Sequence, residues 1–511
     1  MAFTSVEFAV FLVAAVALYY LVPQKFRWGI LLIVSYVFYL SGGVGVLGYI
    51  LFTTITTYAC GCFIGNIKNK GETKEEKAKI KRKKRFFAAI ALVLNFGLLY
   101  FVKYWNFTLD LLKIPENILR FNILLPLGIS FYIFQSMGYI IDLVRGKYKP
   151  QRSLLKFALF VSFFPQLTQG PIGRYDVLSH ELYKGNSFSF DNFKEGLKLL
   201  VWGYIKKLVI ADRASVVACA VIDSYWDFKG SVILFGIIFY CIQLYCDFSG
   251  GIDIARGAAR LFGINMAENF KRPFFATSLT DFWRRWHITL GSWLKDYLFY
   301  PITLSKPFIN LGKFIRKHIK GKAGKILPTS LATFIVYFVI GIWHGASWKY
   351  ILFGCWNGVL ITAALLMEPY FVGLKKSLKV QDNALWYKIM CIVRTTLIVV
   401  IGRYITRASG VGAAMDMLAR TVTDFGAGAL INGSLLALGL TIYDYIIVAG
   451  GVLLIFILEL GEEMGVRITE KIEKMGTVPA FLLAFAAVII FIYFGIYRGN
   501  YIASEFIYKQ F

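Results

Sequence analysis

Charge and polar length are what this 511-residue chain has little of: Asp, Glu, Lys and Arg make up 17% of it and histidine contributes four residues, while 58% is hydrophobic and mean hydropathy is +0.62. No ordinary soluble domain of this size has such a composition, which points to an all-α polytopic membrane protein. No polar stretch is long enough to fold by itself, so residues 1–511 are expected to form one integral-membrane domain. Cysteine is scarce and odd in number. Cys60, Cys62, Cys219, Cys241, Cys246, Cys355 and Cys391 fall almost entirely in apolar runs. They lack the pairing of a disulfide framework or the spacing of a zinc site, and small apolar packing is their expected role. A phosphate-cradling glycine loop, a nucleophilic Gly-x-Ser-x-Gly elbow and a metal-spaced histidine set are likewise missing, so no bound metal or resident cofactor is expected. Acidic residues are the minority sign, 30 against 56 Lys and Arg. The excess bases gather in connecting segments and form no face with interleaved stacking aromatics, a pattern that suits anionic membrane lipids and not nucleic acid.

What is present is a series of long apolar runs. A spanning helix needs about 20 mainly apolar residues, and the candidates are Phe3 to Val22, Trp28 to Leu40, Leu47 to Ile67, Phe86 to Trp105, Leu124 to Val144, Leu197 to Ala220, Val232 to Phe248, Leu331 to His344, Ile351 to Met367, Ile389 to Ile405, Ile442 to Leu460 and Val478 to Tyr497. Trp28 to Leu40 is short and is followed by Gly42, Gly43, Gly45 and Gly48, which allow a tight turn or a partly re-entrant path. The first run has neither a preceding basic region nor a cleavage pattern, so it is expected to be retained. Lys68 to Arg85, Arg145 to Lys156, Lys313 to Lys325, Lys375 to Lys388 and Arg467 to Lys474 are basic connections expected on the cytoplasmic side. Counting between them puts both ends and the segments Phe107 to Asn122 and Ala408 to Thr441 outside, with about eleven spans in all.

Two segments interrupt the series. Ser162 to Tyr175 carries Pro165, Gly170, Pro171 and Gly173 among Gln166, Thr168, Gln169 and Arg174, and Phe262 to Tyr300 is rich in Trp and Arg. Irregular backbone at membrane depth is tolerated where it lines a cavity, so re-entrant pieces around one are expected, with surface amphipathic helices as the alternative for the second segment. No internal repeat is visible to support an inverted-repeat transporter.

The polar residues inside apolar runs carry the functional argument. His344, in Trp343-His344-Gly345, ends a span, and an ionisable group there costs a few kcal/mol unless it faces a cavity or reaction path; histidine also exchanges protons near neutral pH. The bland alternative is a packing histidine bonded to a backbone carbonyl. Asp281-Phe-Trp-Arg-Arg-Trp-His287 opens an expected helical stretch through Trp293 to Tyr297. Arg284 and Arg285 offer planar forks for phosphate or carboxylate, and Trp283 and Trp286 share a face; the alternative, which periodicity by itself favours, is an interfacial helix whose Trp and Arg meet lipid headgroups. Chain order places His287 toward the cytosol and His344 toward the outside, as if bracketing the bilayer. Gln243, Asp247 and Asp253 lie on or after an apolar run, with Arg256, Arg260, Arg284 and Arg285 as the available cations. His180 and His318 are expected at the surface.

The blocks Pro126 to Gln135, Phe164 to Tyr175, Gln243 to Ser249, Asp281 to His287 and Trp343 to Gly345 together resemble the membrane-bound O-acyltransferase (MBOAT) family, in particular the bacterial branch that contains the alginate O-acetyltransferase membrane subunit. Phe506 to Phe511 is similar to the same branch. The resemblance implies a ring of membrane helices around a central tunnel in a bacterial cell membrane. It implies transfer of an acetyl group from cytosolic acetyl-CoA to hydroxyls of an exported polysaccharide, helped by an SGNH-like partner outside. By it, His344 and His287 match the family's histidines, with Trp283, Arg284, Arg285, Trp286, Trp343, Gln243 and Asp247 along the substrate path. One departure is visible: where relatives commonly carry a histidine in Phe-Gly-x-x-His-Gly, this chain has Asn357, which cannot shuttle a proton and is assigned no catalytic role. The rival within the family is D-alanyl transfer to teichoic acid from a carrier-protein thioester. The rival of another class is a polysaccharide or ion transporter without acyl chemistry.

Overall fold

A computed structural model describes residues 1–68, 73–115, 118–121, 125–466, 471, 476–495 and 506. Among these the chain is helical, and its β-type pairing is one isolated antiparallel bridge, Phe270 to Trp286. Among the described residues seven helices are long and apolar enough to cross a membrane, and Val6–Leu21 and Leu482–Phe494 are shorter apolar helices. The remaining candidate spans are present as shorter or interrupted helices. Apart from residue 471, the basic connection 467–474 lies outside the described residues, as does the closing segment beyond Phe506.

The chain divides into two compact units, one built from Met1–Gly203 and Gly251–Glu268, the other from Tyr204–Gly250 and the described part of Asn269–Ile507. In the first unit, helix α1 (Val6–Leu21) starts where the Ser5 hydroxyl accepts the Phe8 amide, satisfying a donor that the first turn leaves open. Helices α2 (Arg27–Leu40) and α3 (Leu47–Asn66) follow the glycine-punctuated turn. Helix α4 (Lys74–Leu111) opens with a Thr73–Glu76 capping box and runs for 38 residues. At 1.5 Å per residue it exceeds a hydrocarbon core of about 30 Å, so its basic first turns extend past the apolar part. Helix α5 (Ile129–Arg145) packs on α3 and α4.

The proline- and glycine-rich segment of this unit breaks into α6 (Leu154–Ser162) and the single turn α7 (Phe164–Leu167). Gln166, Thr168 and Gln169 are all buried. Gln135 Nε2 and Gln166 Nε2 both donate to the Phe160 carbonyl, at 2.6 and 2.9 Å, and the Gly173 amide donates to Gln135 Oε1 at 3.2 Å. Side-chain amides thus take up backbone groups that a broken helix would leave unpaired. Helices α8 (Tyr175–Tyr183) and α9 (Phe190–Tyr204) complete the run of this unit.

In the second unit, the expected span Leu197 to Ala220 is interrupted by a π-helical turn, Ile205–Ala211, before α10 (Asp212–Ile222). Helix α11 (Gly230–Leu261) is one continuous 32-residue element, of which the residues up to Gly250 belong to this unit. Phe262 to Tyr300 folds into short pieces, α12 (Leu279–Arg285), α13 (Ile288–Leu294) and a π-turn at Lys295–Phe299, followed by α14 (Tyr300–Thr303) and the basic α15 (Lys306–His318). The expected single helix from Asp281 to Tyr297 is therefore corrected: it breaks at His287, whose φ of 49° is left-handed and cannot continue an α-helix. The surface-helix alternative fails for its core residues, since Trp286, His287 and Trp293 are buried.

Helices α16 (Lys322–His344) and α17 (Trp348–Ser377) form an antiparallel pair on which α18 (Leu385–Arg407) and α19 (Val411–Thr423) pack, while α20 (Ile442–Glu463) packs on the π-turn Ile205–Ala211 and on α10. The most apolar stretch of α20 is only 11% buried inside the protein, so its outer surface is suited to lipid.

Candidate active site

His344 is the last residue of α16, and its position is set by how closely α17 approaches. A Cβ on Gly341 would lie 2.5 Å from the Tyr350 carbonyl, and one on Gly354 would lie 2.6 Å from the Tyr337 carbonyl. Only glycine lets the two backbones meet this closely. The chain then leaves the helix at Gly345, where a Cβ would fall 2.5 Å from the Tyr350 ring. His344 is partly accessible and not sealed. Its ring lies 5.9 Å from Phe353, 6.2 Å from Tyr350 and 5.1 Å from Trp343, centroid to centroid.

His287 reaches the same place from the break between α12 and α13. Its Nδ1 is 3.3 Å from Asn269 Oδ1, which also accepts the Thr289 amide at 2.9 Å and the Thr289 hydroxyl at 2.8 Å. An oxygen receiving two other donors is an acceptor, so Nδ1 carries the proton and Nε2 is the basic nitrogen. Burial, reinforced by neighbouring His344, pushes this imidazole well below the usual histidine range, and it is neutral at pH 7. The ring sits edge-on to Phe248 at 5.0 Å and to Trp343 at 5.8 Å.

The expectation that the two histidines bracket the bilayer is overturned. Both imidazoles meet the indole of Trp343, so two ring contacts separate them, not the thickness of a bilayer, about 30 Å. Distance along the chain misleads because the stretch breaks at His287 into two seven-residue helices, α12 and α13, that pack on each other.

The other expected residues divide. Trp286 stacks on Phe282 at 5.5 Å and lies under the Arg403 guanidinium, 5.3 Å from its carbon, and the same guanidinium is 5.7 Å from the Phe353 ring. Trp283 touches Phe353 at 6.2 Å and Tyr337 at 5.8 Å. Trp343, Trp286, Trp283 and the two histidines therefore share one aromatic enclosure. Arg284 is exposed, whereas Arg285 pairs with Asp281 at 3.1 Å and Glu463 at 2.9 Å, and Glu463 also holds Arg272. Gln243 is buried on α11. Asp247 is buried as well, but its partner is not an arginine. It pairs with Lys207 at 2.5 Å, and Lys207 also pairs with Asp212 at 2.9 Å, all three side chains being at most 1% exposed. The Phe506 ring covers Lys207 at 4.8 Å, and Lys206 donates to Ser249 at 3.2 Å. Asp253 takes one of its expected partners, Arg256, at 3.7 Å. His180 and His318 are exposed.

Sequence inspection missed Asn269, Phe353, Tyr350, Arg403, Lys206, Lys207 and Asp212. Arg403 and Lys207 each stand within an apolar candidate span, and the argument that singles out His344 applies equally to them. For Asn269 and the two ring residues the sequence carries no such mark.

The model of the MBOAT, membrane-bound O-acyltransferase family matches residues 24–381, which include both histidines and the whole enclosure except Arg403. The chain is 34% identical over 415 residues to "Probable alginate O-acetylase AlgI" of Pseudomonas aeruginosa, covering 80% of this chain and 72% of that protein. It is 31% identical over 307 residues to the "Peptidoglycan O-acetyltransferase" of Helicobacter pylori, covering 55% of each. Identity to the "Teichoic acid D-alanyltransferase" of Bacillus subtilis is 27% over 293 residues, 57% of this chain and 69% of that one.

Proposed function

We propose, from the premise that this chain belongs to the membrane-bound O-acyltransferase family and is an O-acyltransferase, that it passes an acetyl group from cytosolic acetyl-CoA to hydroxyls of an exported or cell-wall polysaccharide. The observation that carries the proposal is the partly accessible His344 in an enclosure with a second histidine, His287. The likeness to O-acetylating relatives along 80% of the chain supports acetyl as the acyl group. A tunnel through the fold would bring donor and acceptor to this enclosure from opposite sides, and the polymer would be reached with an SGNH-like partner outside.

In the proposed step His344 takes the proton of the acceptor hydroxyl as its oxygen attacks the thioester carbonyl. The new carbon–oxygen bond forms, the carbon–sulfur bond breaks, and the proton passes from His344 to the departing thiolate. General-base assistance of this kind contributes about a hundred- to ten-thousandfold. Holding both reactants in the enclosure supplies much of the rest. The neutral His287, oriented through Asn269, and the surrounding indoles would position the donor.

The second reading, D-alanyl transfer from a carrier-protein thioester, is favoured by the weaker likeness to the Bacillus subtilis relative. Supplying purified protein separately with radiolabelled acetyl-CoA and with an aminoacylated carrier distinguishes them. Acetyl transfer to polysaccharide from acetyl-CoA, lost in His344→Ala, supports the proposal; turnover with the carrier alone refutes it. A transporter would retain polymer acetylation in His344→Ala and lose transport instead.

A further inference from the structure

We propose that Asn357 is a positioning residue of this site, holding the Trp283 indole against the rings that flank His344. The inference rests on the reading of His344 as the general base. Asn357 lies within α17, 3% exposed. Its Nδ2 donates to the Phe353 carbonyl at 2.8 Å, which fixes the amide's orientation and leaves Oδ1 to accept from Trp283 Nε1 at 3.1 Å. A buried amide costs free energy when left without a partner, and the partly buried Trp283 indole supplies that partner, so this hydrogen bond determines the edge that Trp283 presents to α17.

The consequence runs through ring contacts. Trp283 meets Phe353 at 6.2 Å with planes 65° apart, and Phe353 meets His344 at 5.9 Å with planes 71° apart. Arg403 holds the Phe353 ring by its guanidinium at 5.7 Å, so Phe353 is fixed from two directions. Without the Asn357 bond the indole is free to turn, one wall of the enclosure shifts, and the imidazole loses its alignment. A misplacement of about 1 Å costs about a hundredfold in rate in a well-oriented site.

Asn357→Leu removes the amide donor and acceptor while keeping the branched heavy-atom shape, and Trp283→Phe removes the indole donor while keeping a ring. In the purified full chain, kcat for acetyl transfer is expected to fall about tenfold to a hundredfold in each variant, with KM for acetyl-CoA within about twofold of the parent. The double variant should be no worse than the poorer single one, because both remove one interaction. Fluorine NMR of fluorotryptophan-labelled protein reads the contact without any substrate: the Trp283 resonance, assigned by its loss in Trp283→Phe, should shift in Asn357→Leu. Multiplicative losses in the double variant, parental kcat in either single one, or an unmoved resonance would overturn the proposal. If Asn357→Leu does not fold, parental kcat in Trp283→Phe overturns it alone. Absence of acyl transfer by the parent itself would refute the function and not the contact, which the resonance still reports.

Discussion

Replacing Lys207 with methionine should be among the most damaging single changes in this protein. The ammonium is the shared partner of Asp212 at 2.9 Å and Asp247 at 2.5 Å, with side-chain exposures of 0–1% throughout. Methionine fills similar volume, so little packing is lost, but two carboxylates remain together in a low-dielectric interior. Removing one partner of a buried ion pair typically costs about 3–5 kcal/mol, which lowers the folded-to-unfolded ratio by about a hundredfold to several thousandfold. Neutralising the whole cluster should be far milder, because an apolar or amide replacement of a buried charge group is often nearly neutral. Lys207→Met/Asp212→Asn/Asp247→Asn is therefore expected to recover most of the loss. The buried thiols of Cys241 and Cys246, 7% and 2% exposed, make a thiol-reactive dye a direct report of unfolding on heating in detergent. A Lys207→Met protein that melts with the parent, or a triple variant no better than the single one, would show that the cluster does not hold the fold in this way.

His344→Gln should reduce acetyl transfer by about a hundred- to ten-thousandfold at unchanged expression and melting temperature, measured by label incorporated into polymer. His287 sets a pH dependence. Its folded-state pKa lies below the unfolded value through burial and its neighbour His344, so its contribution is intact above about pH 6.5 and is lost as pH falls from there toward the folded pKa, with a limiting slope of about 1.4 kcal/mol per pH unit for one proton. Thermal melts of the parent and His287→Gln between pH 7.5 and 5 should converge as pH falls; parallel curves would contradict that.

The apolar spans were legible because a helix facing lipid needs a mainly apolar stretch as long as the hydrocarbon core is thick, and Leu385–Arg407 and Ile442–Glu463 each contain one. The two site histidines were legible for the converse reason, as ionisable groups in apolar or aromatic company. Their relative placement was not. A depth inferred by counting residues assumes a straight helix, and the left-handed backbone at His287 voids that assumption. The partner of Asp247 was misjudged because the nearby arginines in sequence belong to other contacts: Arg256 holds Asp253 and Glu268, while Arg285 holds Asp281 and Glu463. Lys207 comes from a different helix, 40 positions away, and local order carries no trace of that meeting.

The close backbone crossing beside His344 also governs how mutational data on this protein will look. Glycine at 341, 345 and 354 is required by steric contact with Tyr350, Gly354 and Tyr337, although none of the three offers a group that could react. A saturation library scored by product alone would rank these silent positions alongside the imidazole. Counting folded molecules for each variant separates residues that build the corner from those that use it.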